Sequence, residues 1–123
     1  MNVYWFGYGG HAHFAEDLRP TIEELGMNLI TIHEHENADV KWNKDTVNVE
    51  LAKADIIILP CDYKLQNAKS NNKLTQAMSL GKPIICSPLP AYNRILKEYP
   101  DDLIIRLNNL PEMRIKGCAN LIK

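Results

Sequence analysis

Three short stretches of the chain carry residue types suited to chemistry. The first is Lys69-Ser70-Asn71-Asn72-Lys73, a polar run leading into Leu74, Ala77 and Met78 at helical spacing. Asn71 or Ser70 suits the N-cap of a helix running to about Leu80, with Gly81 as its left-handed stop. Free amides and the helix dipole attract anions to such an end. Lys69 and Lys73 bracket it with positive charge, Asn71 and Asn72 add neutral donors, and phosphate is the fitting guest. The same residue types also make ordinary solvated loops and caps. The second stretch is Gly7-Tyr8-Gly9-Gly10-His11. Its glycines mark either close backbone approach to a ligand or a turn that needs positive φ. The spacing is not G-x-G-x-x-G, so the dinucleotide fingerprint is absent. The third is His33-Glu34-His35-Glu36. On a strand His33 and His35 share a face, but two histidines do not complete a metal site, and a polar strand end accounts for the run. Glu34 is also placed to meet a ribose hydroxyl after a second strand. No metal and no cofactor is expected.

The elements around these stretches alternate. Asn2 to Phe6, Asn28 to Ile32, Ile56 to Leu59, Pro83 to Cys86 and Leu103 to Leu107 read as strands, and the continuous Ile56–Leu59 run suits a strand buried on both faces. Phe14 to Leu25 reads as a helix with Phe14, Leu18, Ile22 and Leu25 on one stripe; Pro20 either kinks it or starts a new helix. Further helices are expected from about Val47 to Lys53, capped by Thr46 or Asp45, and from Tyr92 to Tyr99, while Ala38 to Asn43 reads as a polar connection. The order β-α-β-α-β-α-β-α-β implies an α/β fold. It is a single Rossmann-like open parallel sheet of about five strands with helices on both faces. In such sheets ligands bind beyond the carboxyl ends of the strands, which is where the lysine-bracketed loop and the glycine loop both fall.

The totals bound the rest. The 123 residues suffice for one domain, with a core over 1–107 and a tail over 108–123. Hydrophobic content of 46% is a globular value, and a net charge of -1 argues against bulk attraction to nucleic acid or anionic membrane. Cys61, Cys86 and Cys118 form no CxxC pair, so neither a disulfide framework nor zinc is indicated. No signal peptide or membrane-length run is legible, and a cytoplasmic setting is expected.

Ala54-Asp55-Ile56-Ile57-Ile58-Leu59-Pro60, then Lys69 through Tyr92, resembles the nucleotide-sugar donor-binding half of GT-B glycosyltransferases, and more narrowly glycosyltransferase-like phage and bacterial proteins with a Lys-Ser-Asn-Asn-Arg-Leu type loop. Tyr4-Trp5-Phe6-Gly7-Tyr8 is similar to the start of that half. The resemblance implies a diphosphate site at Lys69, Ser70, Asn71, Asn72 and Lys73. It places Gln76 where the family carries an acid for the ribose, and Ala68 where it carries one near the sugar. Further lining is expected from Gly7, Tyr8, Gly9, Gly10, His11, Asp62, Tyr63, Pro88 and Tyr92, with Tyr8, Tyr63 and Tyr92 as aromatic neighbours of a diphosphate. Family enzymes close two domains around the reaction, and the acceptor half is not recognisable here. The expectation is therefore a protein that binds a nucleotide or nucleotide-sugar-like small molecule without turnover, sequestering, sensing or carrying it. A second copy of itself, or an acceptor-domain chain, is the expected macromolecular partner. The alternatives are a donor-binding subunit of a glycosyltransferase, with His11 or His13 as candidate bases, and a protein–protein interaction module with a vestigial pocket.

Overall fold

The computed structural model describes residues 1–60, 72–87 and 89–98, and the backbone of 104–106. Its strands are β1 (Asn2–Phe6), β2 (Asn28–His33), β3 (Val40–Lys41), β4 (Ile56–Leu59), β5 (Ile84–Cys86) and β6 (Ile104–Arg106). They form one sheet in the order β3-β2-β1-β4-β5-β6, with every pairing parallel. The helices are α1 (His13–Glu16), α2 (Arg19–Glu24), α3 (Val47–Leu51), α4 (Asn72–Ser79) and α5 (Pro90–Glu98). This is the expected Rossmann-like α/β arrangement. The strand additional to the expected five, β3, is a two-residue edge strand in the stretch read as a polar connection.

Strand alternation sorts the core into two layers. Val3, Trp5, Ile56, Ile58 and Ile85 pack on one face with Ala12 and with Ala15, Leu18 and Ile22 of the α1–α2 segment. Tyr4, Phe6, Ile57, Leu59, Ile84 and Cys86 pack on the other with Val47 and Leu51 of α3, Leu74 and Ala77 of α4, and Tyr92 and Leu96 of α5. Each fully buried isoleucine or leucine contributes about 1.5–3 kcal/mol of transfer free energy. A sheet covered on both faces needs apolar side chains on both, hence the unbroken Ile56–Leu59 run.

Local chemistry sets the boundaries. Pro20 has no amide to give and would crowd the carbonyl of Glu16, so the first helical segment breaks at Asp17–Leu18 and Pro20 sits in the first turn of α2. Gly26 (φ 78°) and Gly81 (φ 65°) hold left-handed stops, and Met27 N–H closes the first of them on the Ile22 carbonyl. α5 begins at Pro90, earlier than Tyr92, because proline is pre-set for a first helical position. Thr46 precedes α3 without a side-chain cap. Instead the Asn43 carbonyl accepts the Thr46 and Val47 amides, and Asn43 Oδ1 accepts that of Asp45 at 2.8 Å. Cys86 is buried; Cys61 and Cys118 lie outside the described residues. Among the described residues no helix is long and apolar enough to cross a membrane.

β3 is so short because a side chain replaces its first rung. The Asp39 carboxylate accepts the Thr31 amide at 2.9 Å and the Thr31 hydroxyl at 3.2 Å, and receives Arg19 Nη2 at 3.0 Å. Arg19 also donates to Glu16 at 2.6 Å and to the Leu29 carbonyl at 3.1 Å, pinning α2 to β2. Burial opposes ionisation of Asp39, but the Thr31 amide and the Arg19 guanidinium outweigh it and hold the carboxyl below its ordinary value. A carboxyl depressed on folding stabilises above its unfolded pKa and loses that contribution as pH falls through the folded one. Asp39→Asn should therefore cost about 1 kcal/mol at pH 7, discounted for the exposure of the pair. The gap from wild type should shrink as urea melts are repeated from roughly pH 4 downward. A gap that stays constant with pH would show that the charge is not what holds the edge.

Candidate functional site

β1 pairs β2 on one side and β4 on the other, and the helices that follow β1 and β4 pack on opposite faces. Strand order thus reverses at β1, which leaves a crevice beyond the carboxyl ends. A cleft of about 330 Å³ opens at this edge, lined by Phe6, Gly7, Tyr8, Glu34, Trp42, Lys73 and Gln76. The volume lies in the lower part of the range for small-molecule sites.

Lys73 is the cation of this lining. Its stem leaves α4, which packs on one face of the sheet, and its ammonium ends 5.8 Å from the ring centroid of Trp5, whose side chain belongs to the other face. The side chain therefore crosses the carboxyl edge of the sheet, and it does so at Gly7. A Cβ there would lie 2.5 Å from Lys73 Nζ and 2.9 Å from Trp5 Cζ2. The other loop glycines follow the same logic. A Cβ on Gly9 would meet the His35 ring at 2.5 Å, and one on Gly10 would meet Tyr8 Cε1 at 2.6 Å. None of the three has positive φ. Each glycine makes room for one of the protein's own side chains, which replaces the reading of a turn that needs positive φ.

The loop's amides are largely spent internally. Gly7 N–H donates to the Ile32 carbonyl, His11 N–H to Tyr8 and Ala12 N–H to Gly9. Gly9 N–H donates to both oxygens of Glu34, at 2.9 and 3.1 Å. Glu34's own amide and that of Gly9 hold its carboxyl below the ordinary range, so it is ionised at neutral pH. His33 is buried, and burial pushes its pKa down. Its Nδ1 accepts the His35 amide at 3.1 Å, which leaves the ring proton on Nε2 in the neutral form.

The remaining expected residues distribute as follows. Gln76 lines the cleft, and its Nε2 donates to Asn48 Oδ1 of α3 at 2.9 Å. Asn72 opens α4. His11 stacks edge-on against Tyr8 and lies beside Phe14; His13 packs on Phe14 with Nδ1 3.2 Å from the Gly10 carbonyl; neither lines the cleft. Tyr92 is buried in the core with Leu96, away from the lining. Asp62, Tyr63, Lys69, Ser70, Asn71 and Pro88 lie outside the described residues. Among the described residues no three His, Cys, Asp or Glu side chains are grouped to hold a metal. Trp42, which the sequence reading left in a polar connection, lines the cleft while exposed, and its amide donates to the His33 carbonyl at 2.9 Å. A tryptophan in so polar a segment was the signal that could have found it.

Residues 7–123 match the family model for glycosyl transferases group 1. The chain belongs to that family. No curated protein matches it. In this glycosyl transferase group 1 chain, a GT-B glycosyltransferase-like domain, the cleft brings together the glycine loop, the end of β2 and the first turns of α4, three of the regions where chemistry was expected.

With φ compatible, a Gly→Ala change normally stabilises by about 0.4–1 kcal/mol through the unfolded chain. Here the sign should reverse. Gly7→Ala should destabilise by about 1–3 kcal/mol, since Trp5 is buried and cannot retreat. Gly9→Ala should cost less, and the cost should vanish in a His35→Ala background, as a double-mutant cycle read by urea melts would reveal. Neutral or stabilising alanines at both positions would refute the space-making role.

Proposed function

We propose that the chain binds a nucleotide or nucleotide-diphosphate-type ligand in this cleft and holds it without turnover, in a sequestering, sensing or carrying role. The observation that carries the reading is Lys73. Its ammonium reaches across the sheet edge into a small cleft whose other walls include the exposed rings of Tyr8 and Trp42. A cation beside two rings suits a ligand with a phosphate at one end and a planar base at the other. Membership of the glycosyl transferase group 1 family supports a nucleotide-type guest.

Absence of turnover is supported by the described lining. Its carboxylate, Glu34, is held below its ordinary range by backbone amides and is a weak base, and the imidazoles of His11 and His13 pack against aromatic rings beyond the cleft. Family membership also favours a second reading, a donor-binding subunit completed by an acceptor-domain chain. Either a second copy of this chain or such an acceptor chain would cover the open side of the cleft.

A thermal-shift and calorimetric screen against nucleoside diphosphates and nucleotide sugars tests both. A ligand at a hundred times its Kd should stabilise the fold by about 2.7 kcal/mol, and mass spectrometry should recover it unaltered. Lys73→Ala should weaken binding about ten-fold or more, with a smaller salt dependence, and leave the fold intact. Unchanged affinity in the variant would remove Lys73 from the site. A nucleotide sugar that is consumed, alone or with an added acceptor chain, would replace the no-turnover reading with transfer.

A further inference from the structure

We infer that the cleft reads the nucleoside end of its ligand, with Trp42 stacking on the base and Glu34 accepting the ribose hydroxyls, so that the chain selects ribonucleotides over 2′-deoxyribonucleotides. This rests on the nucleotide reading above and adds to it a role for Glu34 and a choice between sugars.

Three large hydrophobic side chains stand exposed among the described residues: Tyr8 at 61%, Val49 at 64% and Trp42 at 46%. Both aromatic ones line the same cleft. The backbone of Trp42 is tied by its amide to the His33 carbonyl at the end of β2, and the Tyr8 ring meets those of His11 and His35 edge-on at 5.6 and 6.0 Å between centroids. Rings that line a cleft and stand in water are what a planar base covers on binding, and stacking accepts any base.

Glu34 supplies the complementary polar function. It is the carboxylate of the described lining, and the Gly9 amide fixes its head group by bonding both oxygens. Ionised and 44% exposed, it accepts from the Gly9 amide and from its own, stands 3.3 Å from His35 Nε2, and keeps solvent-facing surface for further donors. Such a group repels phosphate and takes hydroxyl donors. A vicinal diol presents two of them to one carboxylate. Lys73 has the opposite preference. Acid and cation on the walls of one cleft therefore orient the ligand, with phosphate at Lys73 and sugar at Glu34. Gln76, whose Nε2 is committed to Asn48, braces α4 against α3 beside them.

The test is titration of the full chain with ADP, UDP, their 2′-deoxy forms and inorganic pyrophosphate, followed by tryptophan fluorescence and calorimetry. Wild type should bind the ribonucleotides about ten-fold more tightly than the deoxy forms, the worth of a hydrogen bond to a charged group, with quenching of fluorescence. Glu34→Gln keeps an oxygen for the Gly9 amide and should bind both forms alike, near the deoxy affinity. Trp42→Leu should lose most of the quenching and weaken both forms roughly ten-fold. Equal ribo and deoxy affinities in wild type would overturn the inference with no variant needed, as would a preference that survives in Glu34→Gln. Pyrophosphate binding as tightly as the nucleotides would overturn it while leaving the anion site standing. No binding of any probe would overturn the nucleotide reading and this inference together.

Discussion

The reversal of strand order at β1 is the constraint on which the rest depends. β2 and β4 flank β1, and the connections leaving β1 and β4 pack on opposite faces, which leaves a crevice beyond their carboxyl ends. The space that remains is bridged by one side chain. Lys73 sets out from α4 on one layer and ends against Trp5 of the other, passing where Gly7 has no Cβ. The cleft is thus a consequence of topology, and its positive charge is a consequence of a glycine. Phe6, one residue earlier, is buried in the α3–α5 layer and forms the floor that the lysine stem rises from.

Backbone accounting gives the glycine loop its meaning. A loop at the carboxyl edge is commonly read as a cradle of free amides. Here four of the amides from Gly7 to Ala12 are bonded within the protein, and Glu34 takes one with both its oxygens. An anion approaching Gly9 would meet a carboxylate already in place. A phosphate in the proposed site would accordingly lie on the lysine side of the cleft, and the glycine side is a wall shaped by the rings of Tyr8 and His35. The glycines are compact because their neighbours are large.

Much of this was legible in the sequence, for identifiable reasons. Strands buried on both faces announce themselves as unbroken β-branched runs, as Ile56–Leu59 does, and Gly26 and Gly81 mark helix ends because only glycine takes their φ cheaply. Pro20 left two readings open, and the backbone crowding at Glu16 decided for a new helix. β3 was beyond reach. Two residues carry no periodicity, and the rung that defines that edge is a side chain, Asp39, bonded to the Thr31 amide. The lysine-bracketed end of α4 was found as a charge pattern, and Lys73 does line the cleft. Trp42 was passed over because its role arises from long-range placement: a parallel pairing brings residue 42 beside the ends of β1 and β2, and no local spacing encodes that. The space that Gly7 and Gly9 leave was not readable, since Lys73 and His35, which fill it, stand far away in the chain.

Polar groups at the site are coupled through the elements they brace, and this limits how the cleft can change. Arg19 and Asp39 fix α2 and the start of β3 to β2. β2 then fixes Glu34 and, through the His33 carbonyl, Trp42. Glu34 in turn holds the glycine loop, and the loop sets the gap that Lys73 spans. Across the cleft, Gln76 and Asn48 tie α4 to α3. Gln76 donates to Asn48 Oδ1, so the amide at position 76 serves the frame. On the reading proposed above, the hydroxyl acceptor and the brace between helices are therefore different residues. Glu34 can meet the first because its head group is anchored by Gly9, on a strand whose other contacts keep it from moving.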